Sequence, residues 1–426
     1  MYKDFIEETL LRMCTTPRTF EYVSRNLYGL DPIVANEYLI DLEKRGFIKK
    51  VNDLWVRKGS APTKQSISKL SESQHNQYLK KHIPYFDLFK KPHPLDFEWR
   101  NSSETLDHLC EILNDENSEQ DKVLLLGMPS LFASSYIKNL PFNITLVDKN
   151  RPLLTAIKNL IAKSKNHSIV NADVFAINPE KLGRFNSVFM DPPWYPEHFV
   201  QFIWLASQCL NTGGLLAISI PPINTRPGID KERMDWFLYC QQQGLCLESV
   251  IPQKLEYVMP FFEFNAFRAS GLKNIFPFWR KGDLALFRKI EDKHTKRPEG
   301  TSRVNEWVER EIDSVRIRIK KEPKQKSPKI ALSIGHIIPG DILASVSSRD
   351  PKRNGVNVWT SGNRVFKITN PETFIELMDI YKKSETHLTK EAKVVSDFLN
   401  VVIDFETKEY NNYLDWLYYE MEKRTD

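Results

Sequence analysis

Between residues 121 and 290, short apolar runs alternate with amphipathic stretches of helical period. The runs VLLLG (123–127), NITLVD (143–148), SIVNAD (168–173), SVFMD (187–191), LLAISIP (215–221), LCLESVI (245–251) and DLALFRK (283–289) read as strands. Arg151 to Lys163, Glu197 to Leu210 and Asp230 to Gln243 carry the helical period between them. This alternation predicts an α/β domain, a parallel sheet covered by helices on both faces, and not a fold of antiparallel hairpins.

The flanking regions have other patterns. In residues 1–60, helices are expected over Phe5–Met13 and Thr19–Leu27. A third starts at the cap Asp31-Pro32, buries Val34, Tyr38, Leu39 and Leu42 on one face, and stops at Gly46. Phe47-Ile48 and Leu54-Trp55-Val56, turned by Asn52-Asp53, complete a winged helix. Residues 61–120 form a connector, rich in Ser, Gln and Lys at first, with a helix opened by Ser102-Ser103-Glu104 and running to about Leu113. Residues 291–426 read as a charged linker and a small α-rich C-terminal module. VRIRIKK (315–321) is expected as an edge strand, 347–366 as a polar loop, and two or three helices follow.

Composition narrows the class. A length of 426 residues with 41% hydrophobic residues allows two or three domains. The five cysteines fall at no metal or disulfide spacing, so reduced thiols, no metal and a cytoplasmic setting are expected. No apolar run approaches the ~20 residues of a membrane span, and the N-terminus lacks a signal-peptide layout. A net charge of +5 leans mildly towards an anionic partner. The third helix of the first module offers Asp41, Glu43, Lys44 and Arg45, a balanced set, so a structural or dimer-forming role stands beside docking on DNA or RNA.

The chemistry concentrates where the strands end. Gly127, Asp148, Asp173 and Asp191 close four successive strands on one edge, where open parallel sheets bind ligands. The fourth runs into FNSVFMDPPWYPEHF (185–199), and neither Pro192 nor Pro193 can continue a ladder. The chain must leave the sheet stiffly, with a carboxylate held at its edge. Asp148 has a bland alternative, the cap of the helix starting near Arg151.

These strand ends resemble the class I S-adenosylmethionine-dependent methyltransferases over residues 121–290. The resemblance implies a Rossmann-like sheet and S-adenosylmethionine as cofactor. Gly127 would lie beneath its methionine part, Asp148 on the ribose hydroxyls and Asp173 near the adenine. Family members usually carry several glycines in the first turn, whereas this chain has Gly127-Met128-Pro129-Ser130. Asp191-Pro192-Pro193-Trp194 resembles the catalytic motif of amino methyltransferases acting on adenine N6 or cytosine N4. A carboxylate and the Pro192 carbonyl can each accept one N–H of a poorly nucleophilic exocyclic amine. Trp194 then stacks on the base, and Tyr195 helps close the pocket.

The layout of residues 1–290 is also similar to the branched-chain polyamine synthases, which transfer an aminopropyl group from decarboxylated S-adenosylmethionine. Those enzymes follow the first strand with Gly-Asp-Asp-Asp, acids suited to a cationic acceptor; their absence here argues for a neutral or anionic amine. The resemblances together imply a transferase that alkylates an amino nitrogen, a nucleobase methyltransferase first. An aminopropyltransferase is the alternative, and a non-catalytic binding or scaffold protein a third. The aromatic stretch 256–282 would wall the pocket, with Phe262, Phe264 and Arg268 on the substrate, or serve as an apolar docking surface. Arg349, Lys352 and Arg353 with Trp359 to Arg364 suggest a phosphate-contacting loop or a solvated one. A homodimer or larger assembly is a further expectation.

Overall fold

Five parallel strands and their crossover helices occupy the centre of the chain in the computed structural model. The structure describes residues 2–58, 88–272, 275–300, 307–321, 331–347, 350–383 and 389–422. Residues 61–87 of the expected connector, and Arg349, lie outside them.

The chain opens with α1 (Tyr2–Met13), β1 (Arg18–Thr19), α2 (Phe20–Asn26), α3 (Pro32–Lys44), β2 (Ile48–Val51) and β3 (Leu54–Arg57). The three strands form an antiparallel sheet in the order β1-β3-β2. Asp31 accepts the Ile33 N–H at 2.8 Å with Pro32 at the first helical position, as the cap pattern requires. The two-residue strand β1 has too short a pattern to be read from sequence.

The main sheet uses β4 (Arg100–Asn101), β5 (Lys122–Leu126), β6 (Asn143–Asp148), β7 (His167–Asn171), β8 (Phe185–Met190), β9 (Leu210–Ile220), β10 (Leu245–Val258) and β11 (Lys281–Lys289). Its order is β4-β10-β11-β9-β8-β5-β6-β7. The helices α4 (Ser103–Glu116), α5 (Pro129–Ile137), α6 (Arg151–Leu160), α7 (Pro196–Cys209) and α8 (Ile229–Gln242) connect the strands. The strands β9-β8-β5-β6-β7 are mutually parallel. The remaining pairs, β9 with β11, β11 with β10 and β10 with β4, are antiparallel, which corrects the expectation of an all-parallel sheet. Apolar runs report burial but not direction, and no crossover helix returns the chain between β10 and β11 to the opposite edge. From β5 the chain winds first through β6 and β7, then comes back to the other side as β8, making a switch point between β5 and β8. Beneath it Leu124, Leu126, Val188, Met190 and Ile218 pack with Phe199, Ile203 and Trp236, the last stacked on Phe199 at 3.8 Å.

These elements form one of two compact units, residues 1–90, 100–258 and 276–302; the other comprises 91–99, 259–275 and 303–426. The second unit has α9 (Phe261–Ala269), β12 (Trp307–Ile312), β13 (Val315–Lys320), β14 (Ile334–His336), β15 (Val358–Thr360), β16 (Val365–Ile368), α10 (Pro371–Lys382) and α11 (Lys390–Glu422). It therefore carries a five-stranded antiparallel sheet, order β12-β13-β15-β16-β14, as well as its helices. The VRIRIKK segment is an interior strand of that sheet, not an edge. Val315, Ile317 and Ile319 alternate into the core with Phe366, Phe374 and Leu399. The intervening Arg316 and Arg318 pair with Asp96 and Glu309, which allows charged residues to sit mid-sheet.

Candidate functional site

The switch point brings Gly127 and Asp191 together. The Asp191 N–H donates to Leu126 at 3.2 Å, and the Gly127 N–H donates to Val147 at 3.1 Å. Gly127 has φ +67°, a left-handed turn that favours glycine, and a Cβ there would lie 3.4 Å from the Asp191 carbonyl. Glycine is thus set by the backbone at this turn, which lies against Asp191 at the carboxyl edge of the sheet.

After Asp191 the prolines hold the chain off the sheet. The Tyr195 N–H donates back to the Pro193 carbonyl at 2.6 Å, closing a tight turn before α7. Among the described residues no backbone donor outside helices and strands reaches the Pro192 carbonyl. The Asp191 carboxyl accepts from the Tyr257 hydroxyl at 3.1 Å, and Ser219 Oγ lies 2.6 Å from the same Tyr257 oxygen. The Ser219 and Tyr257 hydroxyls both act on the Asp191 carboxyl and touch each other, a hydroxyl relay across β9, β10 and the end of β8. Burial pushes the Asp191 carboxyl up to about 6, against the opposing pull of the Ser219 and Tyr257 hydroxyls and the Arg280 charge. Burial, followed by the Asp191 charge, holds the Tyr257 phenol well above its usual range, so it stays a donor.

Trp194 stands edge-on to Tyr257, ring centroids 6.1 Å apart. Gly282 makes room for this. A Cβ at Gly282 would meet Ser219 Oγ at 3.2 Å, and Trp194 and Tyr257 ring carbons at 3.4 Å each. Arg280 lies over the Trp194 ring with its guanidinium carbon 5.6 Å from the centroid. The sequence does not single out Ser219, Tyr257, Arg280 or Gly282: Ser219 comes from β9, parallel to β8, and the other three, members of the 256–282 stretch expected to wall the pocket, reach Asp191 through antiparallel pairing, which fixes no sequence spacing.

The two further acids stay on the same edge. Asp148 accepts the Asn150 N–H at 2.7 Å, while Asn150 itself caps α6 through Leu153. The capping role considered for Asp148 therefore belongs to Asn150. Asp173 accepts the Phe175 N–H at 3.0 Å and has Lys149 at 3.9 Å. Next to it Phe175 meets His198 edge-on at 5.1 Å, and His198 meets Tyr195 at 6.2 Å, an aromatic line from the third strand end to the proline turn.

Phe262, Phe264 and Arg268 are in the second unit, on α9. Phe262 is fully buried against Trp99, and Phe264 packs on Tyr413 and Trp416 of α11. Arg268 lies over Phe264. Rings so enclosed line that unit's own interior, so the docking reading of the aromatic stretch describes them and the pocket wall does not. The described aromatic and arginine side chains of 350–366 are likewise committed internally. Trp359 is buried under Arg353 at 4.1 Å, Arg353 donates to the Val346 carbonyl, and the buried Arg364 pairs with Glu409. Of that expected basic loop, Lys352 is exposed. On α3, Arg45 bridges Glu7 and Asp41 at 2.9 Å each, so the helix presents a neutralised cation. Among the described residues no group of three or more His, Cys, Asp or Glu could hold a metal ion, and no helix is long and apolar enough to cross a membrane.

No family model matches the chain, and neither does any curated protein. Solved structures do. The branched-chain polyamine synthase from Thermus thermophilus, in complex with N4-aminopropylspermidine and 5′-methylthioadenosine, matches with TM-score 0.54 at 15% identity, covering 70% of this chain and 90% of that one. A mutein of the same enzyme matches with TM-score 0.54 at 13% identity, covering 69% and 90%. At such identity the likeness speaks for the fold. The eight-stranded domain has the Rossmann-like class I methyltransferase fold.

Proposed function

We propose that this protein is an S-adenosylmethionine-dependent transferase that alkylates an amino nitrogen, with an exocyclic nucleobase amine as the acceptor. The carrying observation is the Asp191 carboxyl, held at the switch point beside Trp194 by the Tyr257–Ser219 relay. With its proton affinity raised to about 6, Asp191 is mostly ionised at neutral pH yet basic enough to take a proton. It would accept one N–H of the amine, the Pro192 carbonyl the other, and Asp191 would keep the proton the nitrogen loses as its new bond forms. Trp194, stiffened by Pro193 and seated over Gly282, would fix the plane of the base.

The residues fit a sulfonium nucleoside. The left-handed Gly127 turn would bring backbone towards the ligand, and Asp148 stands at the next strand end, where an acid suits ribose hydroxyls. Asp173 and Phe175 follow in the position for the adenine. When bound, the donor supplies an electrophilic carbon; the protein supplies alignment and the base.

A second reading is aminopropyl transfer from decarboxylated S-adenosylmethionine, favoured by the coverage of the Thermus polyamine synthase fold. Against it stands Gly127-Met128-Pro129-Ser130, which offers a polycation no acid. The test uses both donors with the transferable carbon isotopically labelled, offered with nucleosides, single-stranded oligonucleotides and spermidine. Label on a nucleobase from S-adenosylmethionine supports the first reading. Turnover with the decarboxylated donor and spermidine alone replaces it with the second. Binding of neither donor by calorimetry removes both.

A further inference from the structure

The start of β11 places a positive charge at the acceptor site that the mechanism above does not use. Strand alternation sends Arg280 and Gly282 to one face and Lys281 to the other. The contacts agree. Lys281 faces Glu256 at 3.7 Å, while the space above Gly282 is filled by Trp194, Tyr257 and Ser219. Arg280 is anchored through its carbonyl, which accepts the Tyr257 N–H at 3.1 Å. Its half-buried guanidinium, over the Trp194 ring, lies close enough to Asp191 for its charge to act on that carboxyl.

We propose that Arg280 determines acceptor specificity by holding a phosphate of the molecule whose amine is presented to Asp191. This rests on the nucleobase reading and deepens it, since it names the acceptor as a nucleotide and not a free base or a polyamine. A guanidinium has five N–H donors in a plane, so it can keep protein contacts and still give two parallel hydrogen bonds to phosphate. The same charge opposes a polyamine, whose cationic nitrogens it would repel near Asp191. The phosphate can come from a mononucleotide or from a polynucleotide strand.

The experiment compares adenosine with its 5′-monophosphate, cytidine with its 5′-monophosphate, and single-stranded oligonucleotides of each base, using labelled S-adenosylmethionine. Wild-type protein is assayed beside Arg280→Gln and Arg280→Lys. The expected result is a kcat/KM at least about tenfold higher for the phosphorylated acceptor in wild type, the size of a charge-assisted hydrogen bond. That ratio should fall to near one in Arg280→Gln and recover in part in Arg280→Lys, with S-adenosylhomocysteine binding unchanged in all three. A preference for the oligonucleotide over the monophosphate that also vanishes in Arg280→Gln assigns the phosphate to a strand; equal use assigns it to the free nucleotide. Wild type using nucleoside and nucleotide equally overturns the inference and leaves the nucleobase reading standing, even if the variants fail to fold. So does a preference that survives in Arg280→Gln. Transfer to spermidine and to no nucleobase removes both.

Discussion

Replacing Asp191 by Asn should abolish the proposed transfer and stabilise the protein. In the fold the Asp191 carboxyl is raised from its usual 3.8 to about 6, chiefly by burial. The folded protein therefore holds a proton that the unfolded chain has released between about pH 4 and pH 6. Folding becomes less favourable as pH rises through that window, and above it the full cost of the buried charge remains. A difference of about two pH units corresponds to about 3 kcal/mol at 1.36 kcal/mol per unit. Asp191 retains part of its surface, so solvent screening leaves about 1–3 kcal/mol. Asn keeps an oxygen for the Tyr257 hydroxyl and carries no charge. For a unit of this size, Asp191→Asn should raise the melting temperature by about 2–5 °C at pH 8. The gain should shrink on acidification to a small remainder near pH 4, where the folded carboxyl is protonated and the unfolded one about half so. Thermal melts followed by circular dichroism from pH 4 to 8, with the labelled-donor assay in parallel, measure both effects. A melting temperature equal to or below wild type at pH 8 would refute the argument that Asp191 is an electrostatically strained group at the site.

Three further predictions use the same assays. Tyr257→Phe removes a hydrogen bond that favours the ionised Asp191, so the acidic limb of the kcat/KM profile should move up by about one to two pH units; an unmoved limb would place the proton acceptor elsewhere. Gly282→Ala puts a methyl 3.4 Å from Trp194 and 3.2 Å from Ser219 Oγ, and should lower kcat about tenfold or more with calorimetric donor affinity intact; a wild-type kcat would mean Trp194 is not held by that notch. Asp148→Ala should weaken S-adenosylhomocysteine binding by about 10- to 100-fold, whereas unchanged affinity would return Asp148 to a purely structural turn.

The parallel half of the sheet could be read from the chain because burial on both faces writes itself as short apolar runs. The Asp31-Pro32 cap and the strand-ending residues Gly127, Asp148, Asp173 and Asp191 were readable for the same local reason. Direction is not local. Strands β10 and β11 have the same pattern whichever way they run, and their antiparallel pairing brings Tyr257, Arg280 and Gly282 to Asp191. Aromatic and basic residues misled where composition stood in for environment. Phe262 and Phe264, like Trp359 with Arg353 and Arg364, look ready for ligands in sequence but are enclosed by Trp99, α11 or the β15–β16 hairpin. VRIRIKK, expected as an edge strand, lies inside because Asp96, about 220 residues upstream, supplies a countercharge that no local pattern shows.

That distance also sets a timetable for the newborn chain. The second unit draws on residues 91–99 and 259–275, yet its sheet is built from segments after 303. His93 finds its partner, the Trp359 carbonyl, 266 positions later, and Asp96 waits for Arg316 and Arg318. During synthesis at about 5–20 residues per second, the early segments stay without their partners for tens of seconds. The apolar rings of α9 emerge before the helix that covers them, since Tyr413 and Trp416 lie near the end of the chain. A ribosome stalled before α11 is made should therefore hold a nascent chain with Phe261 and Phe264 uncovered, a natural client for chaperones until α11 leaves the exit tunnel.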